Sequence, residues 1–277
     1  AVEAHQAALS AAQARQRIAE QNVELQAENT RMGVELDVSR QLQQMVLPTK
    51  EELEQIPELD IAGFMEPAAE VGGDYYDVLR YNDRVIISIG DVTGHGLESG
   101  VLMMMVQTAI RTLTVNEVSD HAVFFRVLNR VLYDNVQRMK TDKNLTLLMM
   151  GYSEGVLHTS GQHEEILVVR KHGEIERIDT TDLGFMLGIE PDIDHLINYH
   201  EVRLEPGDGV VLYTDGITEA FHSEVGFYGI NRLCEIIQQH WHEDVNTIKG
   251  EVIQGVHQFV GDNDLLDDIT LVILKRC

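Results

Sequence analysis

The order of the apolar segments limits the fold more than any other feature of the chain. Two long helix-forming stretches, Leu97 to about Asn116 and Ala122 to about Met139, stand side by side, and so do two more, near 229–241 and 246–260. Around these pairs lie short apolar runs separated by tight turns. Leu59–Phe64 comes first, then Tyr75–Leu79 and Val85–Ile89 around Asn82-Asp83. Leu145–Tyr152, Gly155–Ser160, Ile166–Arg170 and Glu174–Asp179 follow, the last two joined by Lys171-His-Gly173. Ile197–Leu204 and Val210–Thr214 flank Glu205-Pro-Gly-Asp208, and Ile269–Lys275 completes the set. Such spacing predicts hairpins. A doubly wound parallel sheet needs a helix between successive strands. Paired helices and linked hairpins instead predict an α+β chain of antiparallel sheet with helices layered outside. No internal repeat is present.

Composition narrows the functional classes. The chain has 277 residues, 44% of them hydrophobic, which is enough for a sizeable core. Forty-six acidic residues face twenty-one basic ones, a formal net charge of −25. This excludes binding to nucleic acid or to an anionic membrane through a basic patch. An anionic substrate would be repelled unless cations wait in its site. Two cysteines, Cys234 and Cys277, make no disulfide framework. Cys234, in Leu233–Ile237, reads as a core helix residue, and Met103, Met104 and Met105 as core filler. No apolar run approaches the ~18 residues of a membrane span. With no signal peptide and Ala1 as its first residue, the sequence reads as a piece of a longer cytoplasmic protein.

Residues 1–47 form a region apart. Up to about 46 they contain no proline and, among glycines, only Gly33. Ala4, Ala11, Ile18, Leu25 and Met32 recur every seven residues, with Ala8, Asn22, Asn29 and Leu36 four positions later and Arg15 as the misfit. This seam predicts a parallel coiled-coil dimer with register-fixing asparagines; a single solvated helix is the other reading. A second stripe, Val38, Leu42 and Met45, is out of phase with the seam by one residue, about 100° around a helix. The helix is expected to stop before Pro48, leaving 48–277 as one folded domain.

Acids recur beside glycine at the ends of the apolar runs: Gly72-Gly73-Asp74, Gly90-Asp91, Thr214-Asp215-Gly216 and Asp267-Asp268 before Ile269. Taken singly, each aspartate reads as a turn or cap residue. Four such places together read as a metal site, because buried carboxylates need compensation and bases are scarce nearby. All-oxygen donors without a thiol or histidine set favour Mg²⁺ or Mn²⁺.

The stretches EVGGDYYD (Glu70–Asp77), GDVTGHG (Gly90–Gly96), YTDGITEA (Tyr213–Ala220) and DDIT (Asp267–Thr270) resemble the PPM-type metal-dependent serine/threonine phosphatases, specifically their SpoIIE-like bacterial branch. The resemblance starts at about residue 42 with QLQQMVLP. It implies an αββα sandwich with two metal ions, Mn²⁺ or Mg²⁺, at one edge. It implies hydrolysis of phosphoserine or phosphothreonine by water, often on a STAS-domain antagonist of an anti-sigma factor. By this resemblance Asp91 bridges both metals and the Val92 carbonyl is a ligand beside it. Asp215 and Asp267 bind the first metal, and Asp74 holds a water of the site. Asp268 completes the candidate metal set and is read as supporting the loop or a water. Gly73 and Gly216 let backbone approach the ions. A receiver or PAS-like sensor upstream of the helix would supply the signal.

No cysteine or serine nucleophile is required. His95 joins Asp91 and Asp215 in the candidate catalytic set as a general acid; the other reading is a loop histidine under the turn. Thr159–Glu165 departs from the proline-containing AGH stretch of the family, which bears on the substrate-facing rim. His158 and His163, without partners at metal spacing, are read as surface residues. Two alternatives to an active phosphatase stay open: a catalytically weak or silent scaffold of the same fold, and a two-metal hydrolase of small phosphate esters. Glutamate at both Ile18 and Leu25 is expected to dissociate the dimer, because it buries charge in the seam; an unchanged mass in light scattering would remove the coiled coil.

Overall fold

A computed structural model describes residues 21, 41, 43–68, 71–82 and 84–277. The proposed seam from Ala4 to Leu36 lies outside the described residues, apart from position 21. Residues 43 and 44 are helical, the chain turns at 45–46, and a capping box at Thr49 opens the short helix α1 (Lys50–Leu53).

Ten strands then form two antiparallel sheets. The first contains β1 (Leu59–Glu66), β6 (Ile166–Val169), β7 (Ile175–Ile178), β9 (Gly209–Tyr213) and β12 (Ile269–Arg276), in the order β1-β12-β9-β6-β7. The second contains β2 (Asp74–Tyr81), β3 (Arg84–Val92), β4 (Leu145–Ser153), β5 (Val156–Ser160) and β8 (His200–Arg203), in the order β2-β3-β4-β5-β8. Helices α2 (Leu97–Val115) and α3 (His121–Met139) cover the second sheet. Helices α5 (Ile230–His240) and α6 (Val245–Val260) cover the first. The result is the four-layered αββα sandwich implied by the motifs.

Two-residue alternation explains the layers. On β12, Val272 and Leu274 point into the core between the sheets, whereas Ile269, Leu271 and Ile273 point toward α5 and α6. Both faces are covered, so the strand reads as an unbroken apolar run. On β3, Val85, Ile87 and Ile89 enter the inter-sheet core. Ser88 faces the helices, where its hydroxyl donates to the Tyr75 hydroxyl at 3.0 Å. The helix pairs are bounded locally: the Asp120 carboxylate caps α3 by accepting from Val123 N–H, and Asp244 caps α6 by accepting from Asn246 and Thr247.

The predicted run Ile197–Leu204 shortens to His200–Arg203, preceded by a 3₁₀ turn at Asp194–Leu196. Asn198 accounts for the loss: its backbone N–H donates to the Leu183 carbonyl at 3.2 Å and its side-chain amide to the Asp182 carbonyl at 2.8 Å, so the segment is tied to a loop before it reaches the sheet. Besides the Asp194–Leu196 turn, four elements gave no sequence expectation: the short helix α1, a 3₁₀ turn at Thr181–Leu183, the one-turn helix α4 (Asp215–Thr218) and a ribbon of β10 (Phe221–His222) with β11 (Gly226–Phe227). Met103 is fully buried and Met104 and Met105 half-buried on α2, in keeping with core filling. Cys234 is half-buried on α5. Among the described residues no helix is long and apolar enough to cross a membrane.

Register between β9 and α5 depends on a glycine. A methyl group at Gly209 would run into the Leu274 carbonyl and the Trp241 indole, whose Nε1–H donates to the Gly207 carbonyl at 3.1 Å. Gly209→Ala is expected to cost about 1–3 kcal/mol by overpacking, read as a lower denaturation midpoint in urea with an unchanged slope.

Candidate metal centre

All the aspartates picked out by sequence lie at one end of the sandwich. Asp74 opens β2 and is the register partner of Asp91 near the end of β3. β9 ends at Tyr213, opposite Leu271 of β12, so Asp215 just after one strand and Asp267-Asp268 just before the other meet at that same end. The structure therefore brings Asp74, Asp91, Val92, Asp215, Asp267 and Asp268 together from four strands.

Each acid has a different environment. Asp74 is 1% exposed, and its Oδ2 accepts from the Thr214 hydroxyl at 2.8 Å and the Thr270 hydroxyl at 2.5 Å. Burial above all, then Asp91 and Asp268, holds its carboxyl well above the usual range. Asp268, 2% exposed, is fully engaged by backbone: Oδ1 accepts from Ala68 N–H at 2.8 Å and Oδ2 from Gly73 N–H at 2.7 Å. Asp267 is exposed, and its Oδ1 accepts from the Asp268 N–H at 2.8 Å. Asp91 is pushed up to about 7 by burial and then by Asp215, Asp267, Asp268 and Glu164. Burial followed by Asp267 and Glu219 raises Asp215 to about 6.

Among the described residues, no lysine, arginine or histidine forms an ion pair with any of these five acids. Protons or added cations must relieve such a cluster. The donors are all oxygen, as Mg²⁺ and Mn²⁺ prefer. Glycines leave the backbone room to close in: a Cβ at Gly73 would overlap the Val92 carbonyl and stand 3.2 Å from Asp91 Oδ1, and one at Gly216 would overlap the Asp268 carbonyl. The donor chemistry and the backbone clearance suit divalent cations, but among the described residues no three of these acids stand together closely enough to hold an ion as they are placed.

Several participants gave little sign in the sequence. Thr214 and Thr270, fully buried, lie within the quoted motifs, yet only the structure pairs them on Asp74, with Thr270 N–H donating to Thr214 Oγ1 at 3.0 Å. Glu164, half-buried, is raised to about 6 by burial, then Asp215 and Glu219; it lies in the stretch Thr159–Glu165 that departs from the family pattern. Lys143 donates to the Thr93 carbonyl at 2.7 Å, two residues beyond Asp91, and brings a positive charge to the rim. Gln43, 1% exposed, has no sequence signal among the neighbouring glutamines. Its Oε1 accepts from Gly72 N–H at 3.1 Å and its Nε2 donates to the Gly72 carbonyl at 3.1 Å.

The histidines divide. His95 is exposed in the loop after β3, and among the described residues no hydrogen bond fixes its ring. His158 is a surface residue, 3.3 Å from Glu201. His163 is not. Its loop folds inward, with His163 N–H donating to Thr180 Oγ1 at 3.0 Å and Leu147 N–H to the Gln162 carbonyl at 2.8 Å. The residue is half-buried with its Nε2 shielded from solvent, its Nδ1 lies 2.8 Å from Thr146 Oγ1, and desolvation lowers its pKa to about 4.

Residues 81–277 match the family model for stage II sporulation protein E, SpoIIE. The chain belongs to the SpoIIE family. It is 28% identical over 245 residues to phosphoserine phosphatase RsbU of Bacillus subtilis, covering 87% of this chain and 70% of RsbU. It is 26% identical to protein IcfG of Synechocystis over 88% of this chain, and spans only 42% of IcfG. Among solved structures, the SiaA-PP2C domain of Pseudomonas aeruginosa superimposes with a TM-score of 0.78 at 20% identity, over 91% of this chain and 99% of that domain. That identity bears on the fold alone.

The grip of Gln43 on the loop before Asp74 generates a prediction. Gln43→Ala leaves buried Gly72 polar groups without partners, a loss of about 1–3 kcal/mol. Part of this loss should appear as weaker Mn²⁺ binding in calorimetric titration, together with lower turnover that excess Mn²⁺ restores. Unchanged Mn²⁺ affinity would reduce Gln43 to a packing role.

Proposed function

We propose that this SpoIIE-family chain is a metal-dependent protein phosphatase that hydrolyses phosphoserine or phosphothreonine in bacterial signalling. The observation that carries the reading is the convergence of Asp91, Asp215 and Asp267 into one uncompensated cluster at the edge of the sandwich. In this reading Asp91, the Val92 carbonyl, Asp215 and Asp267 hold two divalent cations, Mn²⁺ or Mg²⁺. When bound, such ions offset the acids, accept the phosphoryl oxygens and make water a better nucleophile. Attack on phosphorus runs in line with the departing serine oxygen. Asp74 orients the attacking water, with Thr214 and Thr270 fixing its carboxylate. Asp268 acts as a positioning residue, since its oxygens hold the Ala68 and Gly73 N–H groups beside Asp74. Lys143 draws the phosphate dianion toward an otherwise acidic surface, and His95 is free to reach the leaving oxygen as a general acid.

The acids read as cation ligands reach the surface: Asp267 is exposed, and Asp91 and Asp215 are half-buried. A cavity of about 640 Å³ does exist, lined by Arg84, Ile86, Phe124 and Tyr199 among others, but it includes none of the strand-end aspartates. An open site favours a phosphate carried on a protein over a small ester needing enclosure. RsbU is named a phosphoserine phosphatase; with the motif resemblance, this supports a phosphorylated STAS-domain antagonist as substrate. Residues 48–277 are taken as the phosphatase domain. Residues 1–47 are taken as a linker that dimerises in the cytoplasm and relays a sensor or receiver domain through Gln43.

Asp91→Asn and Asp215→Asn should each lower turnover about 10²–10³-fold, the scale typical of an electrostatic group at a reacting centre. Raised carboxyl pKa values mean that the folded metal-free chain binds more protons than the unfolded one, so it loses stability as pH rises through about 4 to 7. Mn²⁺ should therefore raise the melting temperature at pH 7.5, less so in either variant. Wild-type turnover by either variant at limiting Mn²⁺ would overturn the assignment.

A further inference from the structure

The ribbon of β10 and β11 belongs to neither large sheet. Its outer surface is apolar: Phe227 is 59% exposed, Val225 at the turn 57%, and Phe221 37%. The two phenyl rings are register partners and meet edge to face, their centroids 5.5 Å apart. Grouped aromatic exposure of this kind marks an interaction surface more often than chance.

The ribbon is held firmly from beneath. The rings of His222 and Tyr228 pack on Phe259 of α6 at 5.9 and 5.3 Å. The Arg232 guanidinium lies 4.9 Å from that same phenyl centroid and donates to the Phe227 carbonyl at 3.2 Å. The exposed phenyl groups therefore ride on a preorganised base, which lowers the entropy lost on binding.

Its root lies in the metal centre. Tyr228 N–H donates to the Ala220 carbonyl at 2.8 Å, Gly229 N–H to the Thr218 carbonyl at 2.8 Å, and Thr218 Oγ1 to the Asp215 carbonyl at 3.2 Å. One turn of helix thus separates Asp215 from the ribbon. On the other connection, Leu266, 67% exposed, immediately precedes Asp267. Exposed acids border these residues: Glu219, Glu224, Asp262 and Asp264.

We propose that the ribbon and Leu266 form the docking surface for the folded phosphoprotein substrate. Its complementary face carries apolar side chains ringed by lysine or arginine beside the phosphoserine. The inference rests on the phosphatase reading above and names how that site selects its partner. Position determines the occupant, because a phosphate delivered to Asp91 and Asp215 arrives on a body that must lie over surface rooted at Asp215 and Asp267. Charge narrows its chemistry. A chain of net charge −25 repels a phosphorylated acidic partner, so apolar contact and basic residues must supply the affinity.

The test uses Phe227→Ser and, as a second variant at the ribbon tip, Val225→Glu. Both positions are exposed, so the fold should survive, and melting temperatures check that it does. Rates with Mn²⁺ are measured on a serine-phosphorylated STAS domain and on p-nitrophenyl phosphate. The expected result is a KM for the phosphoprotein raised about tenfold, equivalent to about 1.4 kcal/mol, with kcat/KM for the aryl phosphate unchanged. Equal losses on both substrates, or no change on either, would overturn the docking role. So would a variant that becomes a monomer in light scattering while its phosphoprotein KM stays the same, which would assign the ribbon to contact between copies. Wild-type protein that hydrolyses the aryl phosphate but no phosphoprotein would overturn the phosphatase reading itself, a failure seen before any variant is made.

Discussion

Mutual repulsion among aspartates at one sheet edge is the constraint on which the rest of the structure depends. Left to themselves, like charges this close would spread apart or take up protons. The fold prevents spreading by tying Asp74, Asp267 and Asp268 to backbone or hydroxyl donors. Gly73 and Ala68 N–H groups hold Asp268, while Thr214 and Thr270 hold Asp74. Asp91 is left with nothing but burial and neighbouring acids acting on it, all of which raise its pKa. The antiparallel sandwich thus acts as a frame that keeps an unfavourable charge arrangement ready for cations, at a cost met by its three apolar layers.

Much of this was legible in the sequence. Helices arriving in pairs among hairpins predicted the layered antiparallel architecture, and most elements fall within a few residues of their expected bounds. Glycine beside aspartate at strand ends marked the places that the fold brings together. The motif resemblance added the sandwich and the family, and the family match agrees with it. The expectations that failed depended on contacts from distant segments. His163 looked like a surface residue because nothing near it in sequence reveals that its loop folds against Thr146 and Thr180. Asn198 delayed the start of a strand by bonding a loop fifteen or so residues away, a tertiary effect that periodicity does not carry.

Gln43 and the aromatic ribbon illustrate a different limit. A single glutamine in a glutamine-rich stretch has no pattern, yet its burial against Gly72 ties the residues before Pro48 to the loop leading to Asp74. The ribbon is two residues per strand, too short for alternation to register, and its meaning comes from where α4 places it. Both features lie between the chemistry and the outside: one just precedes Pro48 on the chain leading to the Asp74 loop, the other meets the solvent beside Asp215.

The sequence distances within the centre have a consequence for how the molecule comes into being. Thr270 meets Asp74 across 196 residues of chain, and Asp268 meets Gly73 across 195. Loops of that size close late and slowly, because their entropy must be met before the contact returns anything. β12, which brings Thr270 and follows Asp268 directly, is also the strand that joins β1 to β9 in the first sheet. A chain that has not seated β12 has an incomplete sheet and no assembled carboxylate cluster. Under the proposed reading of the cluster, hydrolytic competence would be acquired in the same event as structural completion, and a nascent or partly opened molecule would be inert toward phosphate.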